Sequence, residues 1–441
     1  MRGFVISGTG SGVGKTSVTT GIMHALSKKM EVQGFKVGPD FIDPMYHTVA
    51  TGRRSRNLDT FMMSKDVMKG LAHYASKGAN MTIVEGVRGL YEGSSGLDEV
   101  GSTAEIAKTL GLPVVLVLNA RSLTRSAAAI LQGFKSFDKD VNIAGVILNQ
   151  VSNDQHERKL RDAISSNTDV RIIGSIRRNT DVSVSERYLG LDTISAGKKE
   201  TLLNMEGMLS DVDLDILEEI ACEVEGEVRS PYVKRDVGLK AAVPLDDAFC
   251  FYFKENIECM TASGVKVEYF SPINGDPLPD ADIYYIGGGY PELHLDRLTE
   301  NGDFLQGLKS ESENGKVIIG ECGGLMTMCS TIVSERGDEY AGAGIFDARA
   351  EMAGIRCGPM YMTSDPTSDN PLFRHTIRGH EFHYSKVVPG KDPTFGYNVR
   401  RGIGISDKMD GLVHKNSIGT YMHQHALSVQ DWMECICERV E

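Results

Sequence analysis

Apolar residues in this chain gather in short runs, each about the length of a strand. "RGFVISG" (2–8), "MTIVEG" (81–86), "LPVVLVLNA" (112–120), "IAGVILN" (143–149) and "VRIIGSI" (170–176) are nearly uniform in hydrophobicity. Runs of this kind predict strands buried on both faces, as in a parallel sheet. The segments between them carry helical spacing, for example roughly 15–29, 103–110 and 123–135. Alternation of the two patterns predicts a doubly wound α/β fold. Over about 205–235 the pattern changes. "DVDLDILEEIACEVEGEVRSPY" is acidic and ends at Pro231, which predicts a helix and then a linker. A further alternation follows in "VGLKAAV" (237–243), "VKVEYF" (265–270), "ADIYYIGGG" (281–289) and "KVIIGECGG" (316–324). The expectation is two α/β domains, 1–234 and 235–441.

The first strand runs into "GTGSGVGKTS" (8–17). Phosphate loops follow G-x-x-x-x-G-K-[ST]. Counted back from Gly14-Lys15-Thr16, the first Gly position holds Thr9, so Gly8 must supply the turn with one extra spacer. Gly8, Gly10, Gly12 and Gly14 let backbone N–H groups turn inward, and the helix that follows aims its positive end at an anion. Gly12, Gly14, Lys15, Thr16 and Ser17 are thus candidate nucleotide-binding residues. Lys15 would neutralise the terminal phosphates, and the Thr16 hydroxyl would ligate Mg²⁺.

Carboxylates at strand ends are candidates to complete that site, since ligands of open α/β sheets sit there. Asp40 and Asp43 lie in "FKVGPDFIDPMYHT", Glu85 ends "MTIVEG", and Glu92 follows in "RGLYEG". Mg²⁺ takes hard oxygen ligands, so Asp43 and Glu85 join Thr16 as candidate metal ligands.

A different chemistry is written into "KVIIGECGGLMTM". Strand, sharp turn and helix around Gly320-Glu321-Cys322-Gly323-Gly324 fit a nucleophile elbow with Cys in place of Ser. N–H groups after the elbow, with those of "GGGYPE" (287–292), could stabilise an oxyanion. A thiol nucleophile needs a base. "GTYMHQH" offers His423 and His425, and "RGHEFHYS" offers His380 and His383; spacing alone leaves the choice open.

Bulk properties narrow the partners. The chain has 441 residues, eight cysteines and a formal net charge of −13. An acidic chain without a long basic run is not built for nucleic acid or an anionic membrane. The cysteines lack the close, even spacing of a disulfide framework. The first strand leads straight into the loop with no signal peptide, and no apolar run reaches the length of a membrane span. A cytoplasmic enzyme acting on small molecules is the expectation.

Several motifs together resemble one family. "GTGSGVGKT", "KVGPDFIDPMYH", "RNLDTFM", "EGVRGLYEG", "GSTAEIAK", "SAAAILQGF", "IAGVILN", "YIGGGYPEL", "GECGGLMTM" and the "MHQH" ending are similar to the cobyrinic acid a,c-diamide synthase family, in the family's order. The N-terminal domain is similar to dethiobiotin synthetase, whose loop shares the Thr at the first Gly position. The C-terminal domain resembles a class I glutamine amidotransferase of the cobyric acid synthase type. The resemblance implies that ATP phosphorylates a substrate carboxylate. Cys322, with His423 as base, releases ammonia from glutamine, and the ammonia travels a sheltered path to form an amide. It places Asp40, Asp43, Tyr46 and Glu92 at the substrate, and Thr16, Asp43 and Glu85 at Mg²⁺, and it leaves room for a homodimer. Glu92 departs from the "LYDG" of cobyrinic acid enzymes, which puts its carboxylate one methylene further out. Class I amidotransferases carry His-x-Glu, whereas His423-Gln424-His425 lacks that Glu, so no third triad member is assigned.

Two tetrapyrroles fit the resemblance. "EGVRGLYEG" and "LNARSLTRSAAAI" resemble the Ni-sirohydrochlorin a,c-diamide synthases of methanogenic archaea. Cobyrinic acid enzymes read "EGVMGLYDG" and carry Asp where Asn119 stands. A nucleotide switch that positions other proteins would carry a second lysine where Gly10 stands and would not need the Cys322 elbow. A ligase fed by free ammonia would not need that elbow either.

Overall fold

β1 (Arg2–Gly8) lies at the centre of the first sheet, because the chain lays later strands on either side of it. The computed structural model describes residues 1–178, 200–352, 354, 357–429 and 431–440. Among them the chain separates into two units, the first ending at Pro231 and the second running on from Tyr232.

In the first unit, β2 (Val32–Val37), β3 (Arg56–Leu58) and β4 (Met81–Glu85) lie to one side of β1. β5 (Val114–Asn119), β6 (Ile143–Val151) and β7 (Arg171–Arg177) lie to the other. The order is β3-β2-β4-β1-β5-β6-β7, and every neighbouring pair is parallel. The predicted doubly wound sheet is therefore present. Phe4, Val5 and Ile6 are fully buried, as expected of a strand covered on both faces. Each such side chain contributes about 1.5–3 kcal/mol by leaving water. Reversal of strand order at β1 opens a crevice at its carboxyl end. Six helices cross between strands: α1 (Lys15–Ser27), α2 (Ile42–Thr51), α3 (Lys65–Ala75), α4 (Thr103–Leu110), α5 (Arg125–Phe137) and α6 (Asp154–Asn167).

The acidic stretch departs from expectation. Its helix spans only Leu214–Ile220, started by the Asp213 side chain, which accepts from Asp215 N and Ile216 N at 3.0 and 3.1 Å. The rest is not all linker: β8 (Cys222–Glu223) pairs antiparallel with the start of β1, and the Met1 amine donates to Val224 O at 2.9 Å. The segment closes the first unit because unpaired backbone at the head of β1 finds partners there.

In the second unit, β9 (Lys240–Pro244), β10 (Lys266–Phe270), β11 (Ile283–Ile286) and β12 (Val317–Glu321) form a parallel set ordered β10-β9-β11-β12. Side chains alternate between two apolar clusters. Ala242, Tyr284, Ile286 and Ile318 belong to one, and Ala241, Val243, Ile283, Tyr285, Val317 and Ile319 to the other. After the helix Gly323–Met328 the chain becomes mainly β. β13 (Cys329–Val333), β14 (Glu339–Ala341), β15 (Phe346–Glu351) and later β18 (Lys386–Pro389) make a small sheet. β16 (Cys357–Pro366), β17 (Ile377–His383), β19 (Phe395–Arg401), β20 (Met409–His414), β21 (Ser417–Thr420) and β22 (His423–Gln424) continue the main sheet. β21 joins β12 in parallel, and from β21 to β22 the pairing is antiparallel. No strand was predicted in these segments; β16, for one, alternates only weakly between buried and exposed positions.

Candidate active sites

The phosphate loop owes its shape to two glycines in left-handed conformation, Gly12 (φ 71°) and Gly14 (φ 92°). A Cβ on Gly14 would collide with the Asn149 amide, whose Nδ2 donates to Val13 O at 2.8 Å. Thr9 N donates to Val117 O at 3.2 Å, so the residue at the first Gly position ties the loop to β5. α1 begins at Lys15, and Thr16 and Ser17 sit half-buried in its first turn. Lys15 Nζ folds back on the loop, donating to Gly10 O at 3.1 Å and to Arg88 O. Burial, then the Lys36 ammonium, lowers the Lys15 pKa.

Next to it the predicted metal ligands meet. Thr16 Oγ1 donates to Glu85 Oε1 at 2.9 Å and to Asp43 Oδ2 at 3.2 Å. The structure adds two residues to this group. Lys36 Nζ stands 2.6 Å from Asp43 Oδ2 and 2.8 Å from Glu85 Oε1, and His47 Nε2 stands 2.6 Å from Glu85 Oε2. Burial opposes ionisation of both Lys36 and Glu85, but the lysine–carboxylate pairing outweighs it, raising Lys36 and lowering Glu85. Asp43 is pushed up by burial and by the Asp40 and Glu85 carboxylates. Thr16 Oγ1, Asp43 Oδ2 and Glu85 Oε1 are hard oxygen donors of the kind Mg²⁺ takes, and the Lys36 ammonium pairs with the two carboxylates.

Other sequence candidates take different positions. Asp40 Oδ1, one residue before the N-cap Phe41, accepts from Ile42 N and Asp43 N at 2.8 and 2.9 Å, which ties down the first turn of α2 where Asp43 sits. Tyr46 is 6% exposed and packs against Ile42, Met45 and Val49. Glu92 is exposed, and its carboxylate lies over Gly89, where an added Cβ would fall 2.7 Å from Glu92 Cδ. On the other side of β1, an open cavity of about 490 Å³ is lined by residues including Arg121, Gln150, Asn153, His156, Lys159 and Arg178.

In the second unit, β12 ends at Glu321 and Cys322 turns the chain into the helix Gly323–Met328 with φ 51° and ψ −97°. Such a backbone is strained for a residue with a Cβ and lifts the side chain at the turn. Cys322 N donates to Thr420 O at 2.8 Å, anchoring the elbow to β21. The flanking glycines are required by contact. A Cβ on Gly324 would meet the Ile286 carbonyl, and one on Gly323 would stand 2.8 Å from Pro291 Cδ and 3.3 Å from Gly289 N. That closeness puts the "GGG" loop beside the elbow. Cys322 is 8% exposed, and burial, then Glu292, pushes its thiol up.

The four candidate histidines come from two segments that β17 and β22 pair, and the fold gives each different partners. The His423 ring packs on Gly288, so a Cβ there would be 3.3 Å from both ring nitrogens and closer to Cε1. Burial, then His383, lowers His423 to about 3, which keeps it a neutral proton acceptor. His380 stacks on His423 with ring centres 4.8 Å apart, and His383 stacks on Tyr421 and shares a hydrogen bond with Ser385 O. His425 accepts from Leu427 N through Nδ1 and turns Nε2 towards Glu255, 3.7 Å away. Glu321 is nearly fully buried, with Oε2 accepting from Tyr285 Oη at 3.0 Å and Oε1 from Gln424 N at 3.1 Å. Burial pushes Glu321 up to about 8.

The two units also match known proteins separately. A CobQ/CobB/MinD/ParA nucleotide binding domain model matches residues 4–189, and a CobB/CobQ-like glutamine amidotransferase domain model matches residues 240–431. Over nearly its full length the chain is similar to proteins named cobyrinate a,c-diamide synthase. The protein from Methanocaldococcus jannaschii is 44% identical over 437 residues, covering 97% of each chain. That from Methanothermobacter thermautotrophicus is 44% identical over 439 residues, covering 96% of each. That from Methanosphaera stadtmanae is 41% identical over 449 residues, covering 98% of this chain and 97% of the relative.

The chain belongs to the cobyrinate a,c-diamide synthase family. As a member it is a ligase of the glutamine amidotransferase type, forming C–N bonds. At the first site of this cobyrinate a,c-diamide synthase family chain, sequence reasoning passed over Lys36 and His47. Both lie in the stretch that supplied Asp40 and Asp43. The available signal was a lysine set between Phe35 and Val37, since a buried lysine is rarely unpaired. Glu321 was passed over as a mere neighbour of Cys322. Among the described residues no helix is long and apolar enough to cross a membrane.

Proposed function

We propose that this protein uses ATP and glutamine to convert the a and c acetate carboxylates of a tetrapyrrole into amides. Residues 1–234 carry the amidoligase and 235–441 the amidotransferase. The observation that carries the reading is the presence of both a phosphate loop meeting Asp43 and Glu85 and a strained Cys322 elbow in one member of this family.

At the first site, loop N–H groups and Lys15 bind the ATP phosphates. Mg²⁺ held by Thr16, Asp43 and Glu85 would neutralise phosphate charge. The metal ligands lie on the β2–β4 side of β1, so the nucleotide base is assigned to the other side, where Arg121, Lys159 and Arg178 line the cavity. The substrate carboxylate attacks the γ-phosphorus, ADP leaves, and an acyl phosphate forms. Lys36 offsets the charge of the oxygens in flight.

At the second site, His423 takes the Cys322 proton, and the thiolate attacks the side-chain amide carbon of glutamine. N–H groups around Gly289 and Gly323 stabilise the oxyanion. The imidazolium returns its proton to the departing ammonia, and water hydrolyses the thioester to glutamate. Ammonia then attacks the acyl phosphate and phosphate leaves.

Ni-sirohydrochlorin is the favoured macrocycle, on the strength of Arg88 and Glu92 in "EGVRGLYEG" and of Asn119. The name of the curated relatives supports the second reading, the same diamidation of cobyrinic acid. The test incubates the protein with ATP, Mg²⁺, glutamine and each macrocycle in turn, and counts added amides by mass spectrometry. A higher kcat/KM for the nickel compound is expected. Faster diamidation of cobyrinic acid would select the second reading, and no amide on either would defeat both.

A further inference from the structure

We propose that Glu321, the residue directly before Cys322, is the positioning residue for His423: it holds Nδ1–H so that Nε2 faces the thiol. The proposal rests on the amidotransferase reading above. The position two residues beyond His423, where class I amidotransferases carry Glu, is His425, and its Nε2 turns to Glu255. Glu321 supplies a carboxylate from a different place in the chain. Its Oε2 lies 3.9 Å from His423 Nδ1, and both side chains are at most 2% exposed, so little water competes. The distance exceeds a hydrogen bond, as catalytic contacts often do before substrate tightens them.

The carboxylate is itself pinned. Tyr285 Oη on β11 donates to one oxygen and Gln424 N on β22 to the other. Gln424 follows His423, so Glu321 grips the backbone of the strand that carries the base. Cys322 and its base are thereby registered to each other through one residue. Of the other titratable groups nearby, Glu292 acts on Cys322 and is itself pushed up to about 7 by burial, and the following favour their neutral forms. Tyr252, Tyr285 and Tyr397 are pushed well above the ordinary phenol value by burial. His380 and His383 are lowered by burial. A negative Glu321 would therefore be felt strongly by the imidazolium that forms when Nε2 takes the thiol proton. Burial pushes Glu321 up to about 8 and so opposes that charge, while Tyr285 Oη and Gln424 N donate to the carboxylate and favour it.

The test uses full-length Glu321→Gln, Glu321→Asp and Glu321→Ala. One readout is the ratio of glutamine-dependent to ammonium-dependent amide formation. The other is the pH midpoint of Cys322 alkylation by iodoacetamide, followed on the Cys322 peptide by mass spectrometry. Glu321→Gln keeps the shape and removes the charge. It should lower the ratio by about 10²-fold and raise the alkylation midpoint by about one unit. Glu321→Asp should recover part of both. A ratio in Glu321→Gln close to that of the wild type would overturn the proposal. So would a lowered ratio with an unmoved midpoint, which would make Glu321 a packing residue only. Undiminished glutamine use by Cys322→Ala would instead overturn the amidotransferase reading, a separate result.

Discussion

Lys36 Nζ donates to Glu85 Oε1 across 2.8 Å, and the two side chains are 4% and 0% exposed. Neither charge could be left there alone, because removing one partner of a buried pair leaves the other uncompensated. Lys36→Met should therefore destabilise the first unit by about 3–5 kcal/mol, read as a lower urea midpoint. The pH dependence has a definite sign. Glu85 is lowered in the fold, so its contribution is present above its unfolded value and lost as pH falls. Lys36 is raised, so its contribution is full below its unfolded value and lost as pH rises. Asp43 is raised in the fold, so its contribution runs the other way: folding favours its protonated form, and it partly offsets the acid-side loss. The stability gap between wild type and Lys36→Met should be widest between about pH 5 and 9 and shrink on both sides. A gap that widened in acid would contradict the pairing.

Lys15→Ala should slow amide formation with glutamine and with ammonium alike, since both need the acyl phosphate. Loss of a charge at the transferring phosphoryl group should cost about 3 kcal/mol, or roughly 10²-fold in kcat. Steady-state kinetics with each nitrogen donor checks this. An effect confined to glutamine would move Lys15 out of the phosphate site.

Cys322→Ala should lose glutamine use while ammonium still supports amide formation, because the thiol acts only in releasing ammonia. Isotopic labelling of the glutamine amide nitrogen gives the readout. Label appearing in the product at near wild-type rate would remove the elbow from the mechanism.

Gly288→Ala tests how closely the base is held. The added methyl would overlap the His423 ring, and displacing a catalytic group by about 1 Å can cost about 10²-fold. Glutamine-dependent turnover should fall by that order, with little change when ammonium is supplied. Equal losses with both donors would point to misfolding, which a melting curve would show.

Local patterns in the sequence carried much of the site's outline. Gly-Lys-Thr after an apolar strand marked the phosphate loop, and glycines on both sides of Cys322 marked the elbow, because each motif is a short backbone conformation that few residue types permit. Most of the parallel strands were readable because a strand covered on both faces is largely apolar; β2, with Gln33 and Lys36, and the three-residue β3 were not read. β16 to β22 were not readable in this way. β16 and β19 are unevenly buried, and β12 with β21, β16 with β19 and β17 with β22 pair segments that are not neighbours in the chain.

Among four histidines the sequence could not choose. The fold places His423 against Gly288 and near Glu321, and turns His425 towards Glu255. Lys36 and His47 look ordinary in the sequence and become partners of Glu85 only when β2, α2 and β4 come together. The sequence by itself determined the loop, the elbow and most of the parallel strands, since neighbouring residues settle backbone shape. Only the tertiary structure decided which charges meet, since electrostatic pairing depends on distance in space and on the exclusion of water.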